Sequence, residues 1–177
     1  MAGIDETKTF KPVRIAVLVV SDTRTLANDT SGDLLVERVK ASGHELADRK
    51  LLKDDVPTIQ NQVKAWIAAE DVDVVISSGG TGLTGRDVTP EAVTPLFEKT
   101  IDGFSHMFHM VSYESIGLST IQSRAVAGLA NGTVIFALPG SNGAVKDGWD
   151  KVISHQLDSR YRPCNLVEVM PRMKEHL

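Results

Sequence analysis

The chain has 177 residues, a formal net charge of −4, 42% hydrophobic and 24% charged residues, and one cysteine. The length suits one domain with a sizeable core, and the acidic balance argues against nucleic acid as a partner, which calls for a basic surface. The lone Cys164 excludes an internal disulfide, fits a reducing compartment, and reads as a small semi-buried side chain rather than a nucleophile.

Residues 1–12 form a polar arm with no apolar core, so they are not a signal peptide; such an arm is poorly ordered unless it docks. No apolar run approaches the roughly 18 residues of a membrane span, so no membrane partner is expected and cytoplasm is the default. Arg14 to Val20 is a near-continuous run rich in β-branched residues, as in a parallel strand covered on both faces. Asn28-Asp29-Thr30-Ser31 supplies helix caps, and Gly43 stops that helix after Ser42. Glu45 to Leu52 reads as a second strand near an edge. Lys53-Asp54-Asp55-Val56-Pro57 opens a helix whose Ile59, Val63, Trp66 and Ile67 share one face. Val72 to Ser77 is the third strand, and Pro90 to Glu98 a short helix.

Phe104 to Gly117 reads as helical, with Phe104, Phe108, Val111 and Tyr113 roughly at helical spacing. Ser119 to Leu129 continues with another short helix, marked by Ile121, Ala125, Val126 and Leu129. Thr133 to Leu138 is a fourth strand, followed by a helix from about Gly143 to Leu157. Residues 158–177 form a tail in which Pro163 and Pro171 favour extended or turn structure. Strands alternating with helices predict one α/β domain: three layers, α/β/α, with a mainly parallel, Rossmann-like sheet.

Between the third strand and Pro90 lies Ser77-Ser78-Gly79-Gly80-Thr81-Gly82-Leu83-Thr84-Gly85-Arg86-Asp87. A strand feeding a glycine-rich loop leaves unpaired amides at the carboxyl edge of the sheet, where they suit phosphate. Arg86 adds a cation and Asp87 a hard ligand for Mg²⁺. Gly80 to Gly85 also fits G-x-G-x-x-G, the dinucleotide fingerprint. That fingerprint needs the helix to begin inside the glycines and an acid on a second strand about twenty residues on. Pro90 marks a later helix start, and the stretch before Asp102 makes a poor strand. Ser21-Asp22 and Pro139-Gly140-Ser141 end two more strands with the same small, polar vocabulary, so all three loops share one edge of a parallel sheet. His106 and His109 stand at i, i+3 without further ligands nearby and read as ordinary helix residues.

These residues resemble the MoaB/Mog family of molybdenum cofactor biosynthesis proteins. The likeness runs from Arg14 to Asn165 and rests on Val20-Ser21-Asp22, Ser78-Gly79-Gly80-Thr81-Gly82 with Arg86-Asp87-Val88-Thr89-Pro90-Glu91, Gly103-Phe104, Ser123-Arg124-Ala125 and Leu138-Pro139-Gly140-Ser141. It implies adenylylation of molybdopterin by MgATP, giving adenylyl-molybdopterin and pyrophosphate, in a homotrimer or a hexamer of two trimers. Other proteins of the pathway are further candidate partners. On this resemblance, Asp54 and Asp87 are the candidate catalytic and metal residues, with Asp55 the alternative to Asp54. Ser21, Asp22, Ser78, Gly79, Gly80, Thr81, Gly82, Arg86, Pro139, Gly140 and Ser141 are the candidate substrate contacts. Each has a structural alternative: the acids order turns, Arg86 pairs with Asp87 or Glu91, and Ser112 and Ser115 pack in the core. A catalytically silent molybdopterin-binding or assembly protein is the second reading, and a dinucleotide-dependent oxidoreductase the remote third. No residue reads as a covalent nucleophile, so transfer is expected to be direct.

Overall fold

The computed structural model describes residues 2–175. In chain order the first half comprises β1 (Gly3–Ile4), β2 (Arg14–Val20), α1 (Thr30–Ala41), β3 (Glu45–Leu52), α2 (Val56–Ala68), β4 (Val74–Ser78) and α3 (Thr89–Val93). A 3-10 turn (Thr94–Leu96), β5 (Lys99–Thr100), α4 (Asp102–Ile116) and a second 3-10 turn (Gly117–Gln122) follow. Then come β6 (Val126–Ala130), β7 (Thr133–Leu138), α5 (Asn142–Gly148), a π turn (Trp149–Ile153), α6 (Ser154–Leu157), β8 (Tyr161–Arg162) and α7 (Leu166–Val169). No helix among the described residues is long and apolar enough to cross a membrane.

Six strands form one sheet in the order β3-β2-β4-β7-β6-β5. The first four are parallel; β6 runs antiparallel to β7, and β5 antiparallel to β6. Alternation along each strand divides the core in two. Ile15, Val17, Val19, Val74, Ile76, Val134 and Phe136 face α1, α4 and α5, meeting Leu35, Val39, Phe104, Phe108 and Trp149. Ala16, Leu18, Val75, Ile135 and Ala137 face α2 and α3, meeting Ile59, Val63, Trp66, Ala92 and Val93. Each fully buried aliphatic side chain contributes about 1.5–3 kcal/mol relative to exposure. Both faces of β2, β4 and β7 are therefore covered, which is the three-layer α/β/α arrangement.

The connection after β2 leads to α1 on one face, whereas that after β4 leads to α3 on the other. Adjacent parallel strands whose connections part in this way open a crevice at their carboxyl ends.

Three expectations are corrected. Ser119 to Leu129 is not a helix: the 3-10 turn ends at Gln122 and β6 begins at Val126. Asn131 (φ 46°) and Gly132 (φ 80°) close the β6–β7 hairpin, a two-residue turn whose twist matches paired antiparallel strands. Pro90 to Glu98 holds only a five-residue helix and a 3-10 turn before β5. The arm meets the condition stated for its order, since it docks: Gly3 and Ile4 pair with Arg162 and Tyr161, and Lys8 bonds Glu168. Cys164 is exposed rather than semi-buried, because its neighbour Asn165 turns inward to cap α7 and to bond the carbonyls of Ser159 and Tyr161. Along α4, Phe104, Phe108 and Ser112 face the core, whereas Tyr113 is exposed.

Candidate functional site

The crevice between the carboxyl ends of β2, β4 and β7 is a cleft of about 520 Å³. Ser21, Asp22, Asp54, Gly79, Gly80, Thr81, Gly82, Arg86, Asp87, Pro139, Gly140 and Ser141 all line it, so three loops distant in sequence meet here. Ser78 does not: it is fully buried beneath the loop, where its hydroxyl donates to the Pro139 carbonyl at 3.4 Å. Thr23, Arg24, Gln122 and Ser123 also line the cleft and were not anticipated from the sequence.

The glycine loop is built with its carbonyls turned into the protein. Gly79 O accepts from Thr89 Oγ1 at 2.9 Å, and Gly80 O from the Thr89 amide at 2.9 Å. Thr81 O accepts from the Arg124 amide at 3.1 Å, and Gly82 O from Arg124 Nε at 2.8 Å. The amides of Gly80 and Thr81, by contrast, have no protein acceptor among the described residues. Paired carbonyls and free amides make the loop a concave donor surface suited to an oxyanion. Thr81 is 2% exposed, yet its hydroxyl also lacks a partner among the described residues, which is costly unless a ligand or water completes it.

Glycine is required where the loop leaves β4. Gly79 has φ +107°, and a Cβ there would collide with the Val20 carbonyl; Gly80 has φ +64°, and a Cβ would lie 2.6 Å from Asp54 Oδ1 and against Thr89 Oγ1. The loop thus runs within contact distance of both the end of β2 and the Asp54 carboxylate.

Asp54 and Asp55 separate cleanly. Asp55 caps α2, its Oδ2 accepting from the Thr58 amide at 2.9 Å and from the Thr58 hydroxyl. Asp54, one residue earlier, faces the cleft above Gly80. Asp87 lies above Gly82 and accepts from the Thr84 amide at 2.9 Å and hydroxyl at 2.6 Å through Oδ2. Asp22 bridges the rims: Oδ1 accepts from the Asp54 amide at 3.4 Å and Oδ2 from Arg86 at 3.0 Å. Arg86 therefore pairs with Asp22, not with Asp87 or Glu91, and its side chain remains 77% exposed. Glu91 is held by Arg124 instead. Arg24 crosses from the β2 loop to the β7 loop, donating to Gly140 O at 2.9 Å, bonding Ser31, and pairing with fully buried Asp29 at 3.5 Å. Ser21 Oγ accepts from the amides of Thr23 and Arg24, and Ser141 Oγ caps α5, so both hydroxyls keep a proton to donate.

The acids differ electrostatically. Burial pushes the Asp54 carboxyl above its usual range, and the neighbouring charges of Asp22 and Asp87 push it further. Burial opposes ionisation of Asp87 too, but its Thr84 bonds, the Gly82 amide and Arg124 outweigh this and hold it below the usual range. A carboxyl raised in the folded state favours folding while protonated, and that contribution disappears as pH rises through its folded pKa. At neutral pH ionised Asp54 is therefore a burden on the fold. Asp54→Asn is expected to raise the melting temperature at pH 7, with the gain shrinking as the pH is lowered and wild-type Asp54 takes up its proton. Scanning calorimetry at a series of pH values checks this; an equal or lower melting temperature at pH 7 would refute it.

Outside the cleft, His106 and His109 each direct Nδ1 at the carbonyl four residues back, and Ser115 donates to Asp147 at 2.9 Å. Ser112 is buried on the core side of α4. Among the described residues no group of three or more His, Cys, Asp or Glu could hold a metal ion on its own. The dinucleotide fingerprint lacks its context: α3 begins at Thr89, beyond the last glycine, and the next strand is only Lys99–Thr100, antiparallel to its neighbour.

The chain is similar to known proteins over most of its length. Residues 16–159 match the family model described as "Probable molybdopterin binding domain". The chain is 51% identical over 156 residues to Molybdenum cofactor biosynthesis protein B of Escherichia coli (strain K12), covering 88% of this chain and 92% of that one. A crystal structure of Molybdenum cofactor biosynthesis protein B aligns with a TM-score of 0.85 at 41% identity, over 95% of this chain and 99% of the other. The tungsten cofactor synthesizing protein MoaB from Pyrococcus furiosus aligns at 0.73 and 31%, over 94% and 97%. With sequence, fold and family model in agreement over most of its length, the chain belongs to the MoaB/Mog family of molybdenum cofactor biosynthesis proteins.

Proposed function

We propose that the chain binds molybdopterin in this cleft and adenylylates it with ATP in the cytoplasm. The supporting observation is the pair Asp54 and Asp87, suspended above a loop whose Gly80 and Thr81 amides have no acceptor among the described residues. In this reaction a phosphate oxygen of the pterin attacks the α-phosphorus of ATP. The bond from α-phosphorus to its bridging oxygen breaks, and pyrophosphate leaves with that electron pair. No covalent intermediate with the protein is involved. Both reactants are anionic, so the protein's task is alignment and charge neutralisation. The loop amides and the Thr81 hydroxyl bind phosphate oxygens, and Arg86 and Arg24 add positive charge at the two rims. Asp54 and Asp87 offer hard oxygen donors and are the residues that would hold Mg²⁺. When bound, Mg²⁺ supplies neutralisation of the phosphate charge.

The test is pyrophosphate release from MgATP by the wild type, with and without molybdopterin. Release that requires molybdopterin supports transfer. Molybdopterin binding with no release would instead support a catalytically silent binding or assembly role in the pathway, and NAD binding with no response to ATP would revive the dinucleotide reading.

We also propose self-association as a trimer or a pair of trimers. Met107, Met110, Tyr113, Ile116, Leu118 and Ile121 are all exposed along α4 and the following 3-10 turn. A contiguous apolar face of this kind marks an association surface. Light scattering of the wild type is expected to give a multiple of three chains, and Met110→Glu combined with Ile121→Glu is expected to give one. A monomeric wild type, or an unchanged mass in the double variant, would overturn this.

A further inference from the structure

We infer that Arg124 is a positioning residue of the cleft, which turns the carbonyls of Thr81, Gly82 and Asp87 inward so that the distal half of the glycine loop keeps its negative ends away from an anionic ligand. The inference rests on the oxyanion-binding reading of the cleft given above.

Arg124 does not line the cleft. It reaches the loop from behind with donors at both ends of the residue. Its amide donates to Thr81 O at 3.1 Å, its Nε to Gly82 O at 2.8 Å, and its Nη2 to Asp87 O at 2.7 Å. Its Nη1 bonds Glu91 on α3, which fixes the guanidinium plane. Three successive attachment points of the loop therefore hang on one side chain and its own amide. A planar fork with donors in fixed directions can serve Gly82, Asp87 and Glu91 together; an ammonium cannot reach all three.

The purpose of the clamp follows from the polarity of a peptide. A carbonyl turned outward would set a partial negative charge where phosphate oxygens must sit. Held inward by Arg124, the carbonyls of Thr81, Gly82 and Asp87 stay away from that anion, while the Gly80 and Thr81 amides face out on the neighbouring peptides gripped by Thr89. The clamp also sets the backbone of Asp87, whose side chain is fixed separately by Thr84. Residue 124 is itself anchored from behind, because the Ser123 carbonyl meets His109 Nε2 at 3.1 Å. Thr89 holds the carbonyls of Gly79 and Gly80, so Arg124 governs the distal half of the loop.

The test is calorimetric titration of inorganic pyrophosphate into the wild type, Arg124→Lys, Arg124→Ala and Glu91→Gln, with melting temperatures recorded and binding measured where every variant is folded. Loss of both side-chain hydrogen bonds to the loop in Arg124→Ala, and of at least one in Arg124→Lys, predicts roughly 10- to 100-fold weaker binding in both variants, and a smaller loss in Glu91→Gln. Millimolar guanidinium is expected to restore part of the affinity of Arg124→Ala but none to Arg124→Lys, whose side chain occupies the space. If Arg124→Ala fails to fold, the lysine and Glu91 variants carry the test. Wild-type affinity in Arg124→Lys, or variants that melt earlier yet bind normally, would overturn the inference, as would a wild type that binds no pyrophosphate. The readout needs no turnover, so a wild type that binds pyrophosphate without catalysing transfer refutes adenylylation alone.

Discussion

Asp87→Ala is expected to lower molybdopterin-dependent pyrophosphate release by roughly 10²–10³-fold, the range for removing one preorganised charge-stabilising group. Two losses combine. The cleft forfeits its more readily ionised acid, since Asp87 is held below the usual carboxylate range whereas Asp54 is raised above it. The Thr84 amide and hydroxyl also lose their acceptor, which frees the stretch between Gly82 and Asp87. Asp87→Asn separates these effects, because its amide oxygen still accepts from Thr84 while its charge is gone. A similar loss in both variants assigns the effect to charge; a mild loss in Asp87→Asn assigns it to loop order. Circular dichroism should remain unchanged. Activity of the wild type is further expected to fall on acidification first through Asp54, the acid that takes up a proton at the higher pH. Release by Asp87→Ala within a fewfold of wild type would remove this acid from the chemistry.

Gly79→Ala is expected to cost about 2–5 kcal/mol of stability, combining the left-handed backbone penalty with overpacking. At φ +107° the new methyl would press on the Val20 carbonyl, which is backbone and cannot rotate away. The Gly79 amide is meanwhile committed to Leu138 O at 2.9 Å, and Gly140 packs against its Cα. Relief on one side is therefore blocked by β2 and on the other by β7. Against a typical stability of about 5–15 kcal/mol, such a loss is large. Gly85→Ala is the matched control: a Cβ there meets nothing within 4 Å and its φ is ordinary. Urea unfolding of the pair should show a lowered midpoint for Gly79→Ala alone; equal midpoints would mean that β2 and β4 yield more readily than their register implies.

The parallel core was legible because its signals are local. β2 and β7 match their apolar runs residue for residue, β3 lies where a strand near an edge was read, and α2 and α5 announced themselves by one-sided spacing. The three polar strand ends pointed to one edge, and the cleft lies there. The antiparallel part was misread for two physical reasons. Ile121, Ala125, Val126 and Leu129 imitate a helical face, while β6 is buried on both sides and so shows no alternation. Gly128 lacks a side chain because the Phe97 ring occupies that space, a tertiary requirement invisible in the local pattern. The Asn131-Gly132 pair was the readable clue to the hairpin. The choice between Asp54 and Asp55 depended on a cap: Thr58, three residues beyond Asp55, was the local sign that Asp55 belonged to α2. Arg24 and Arg124 were not readable as parts of the site, since what ties them to its loops is main-chain carbonyls distant in sequence.

Asn131 and Gly132 reverse the chain at the rim opposite the cleft, and the effect is felt at the far end of the strand they reverse. Because β6 runs against β7, it starts where β7 finishes, and the residues just before it arrive beside Gly82. Had a helical crossover joined two parallel strands instead, that stretch would have been delivered about 16 Å away, one strand length off. A turn of two residues thus fixes which side of the molecule receives Gln122, Ser123 and Arg124.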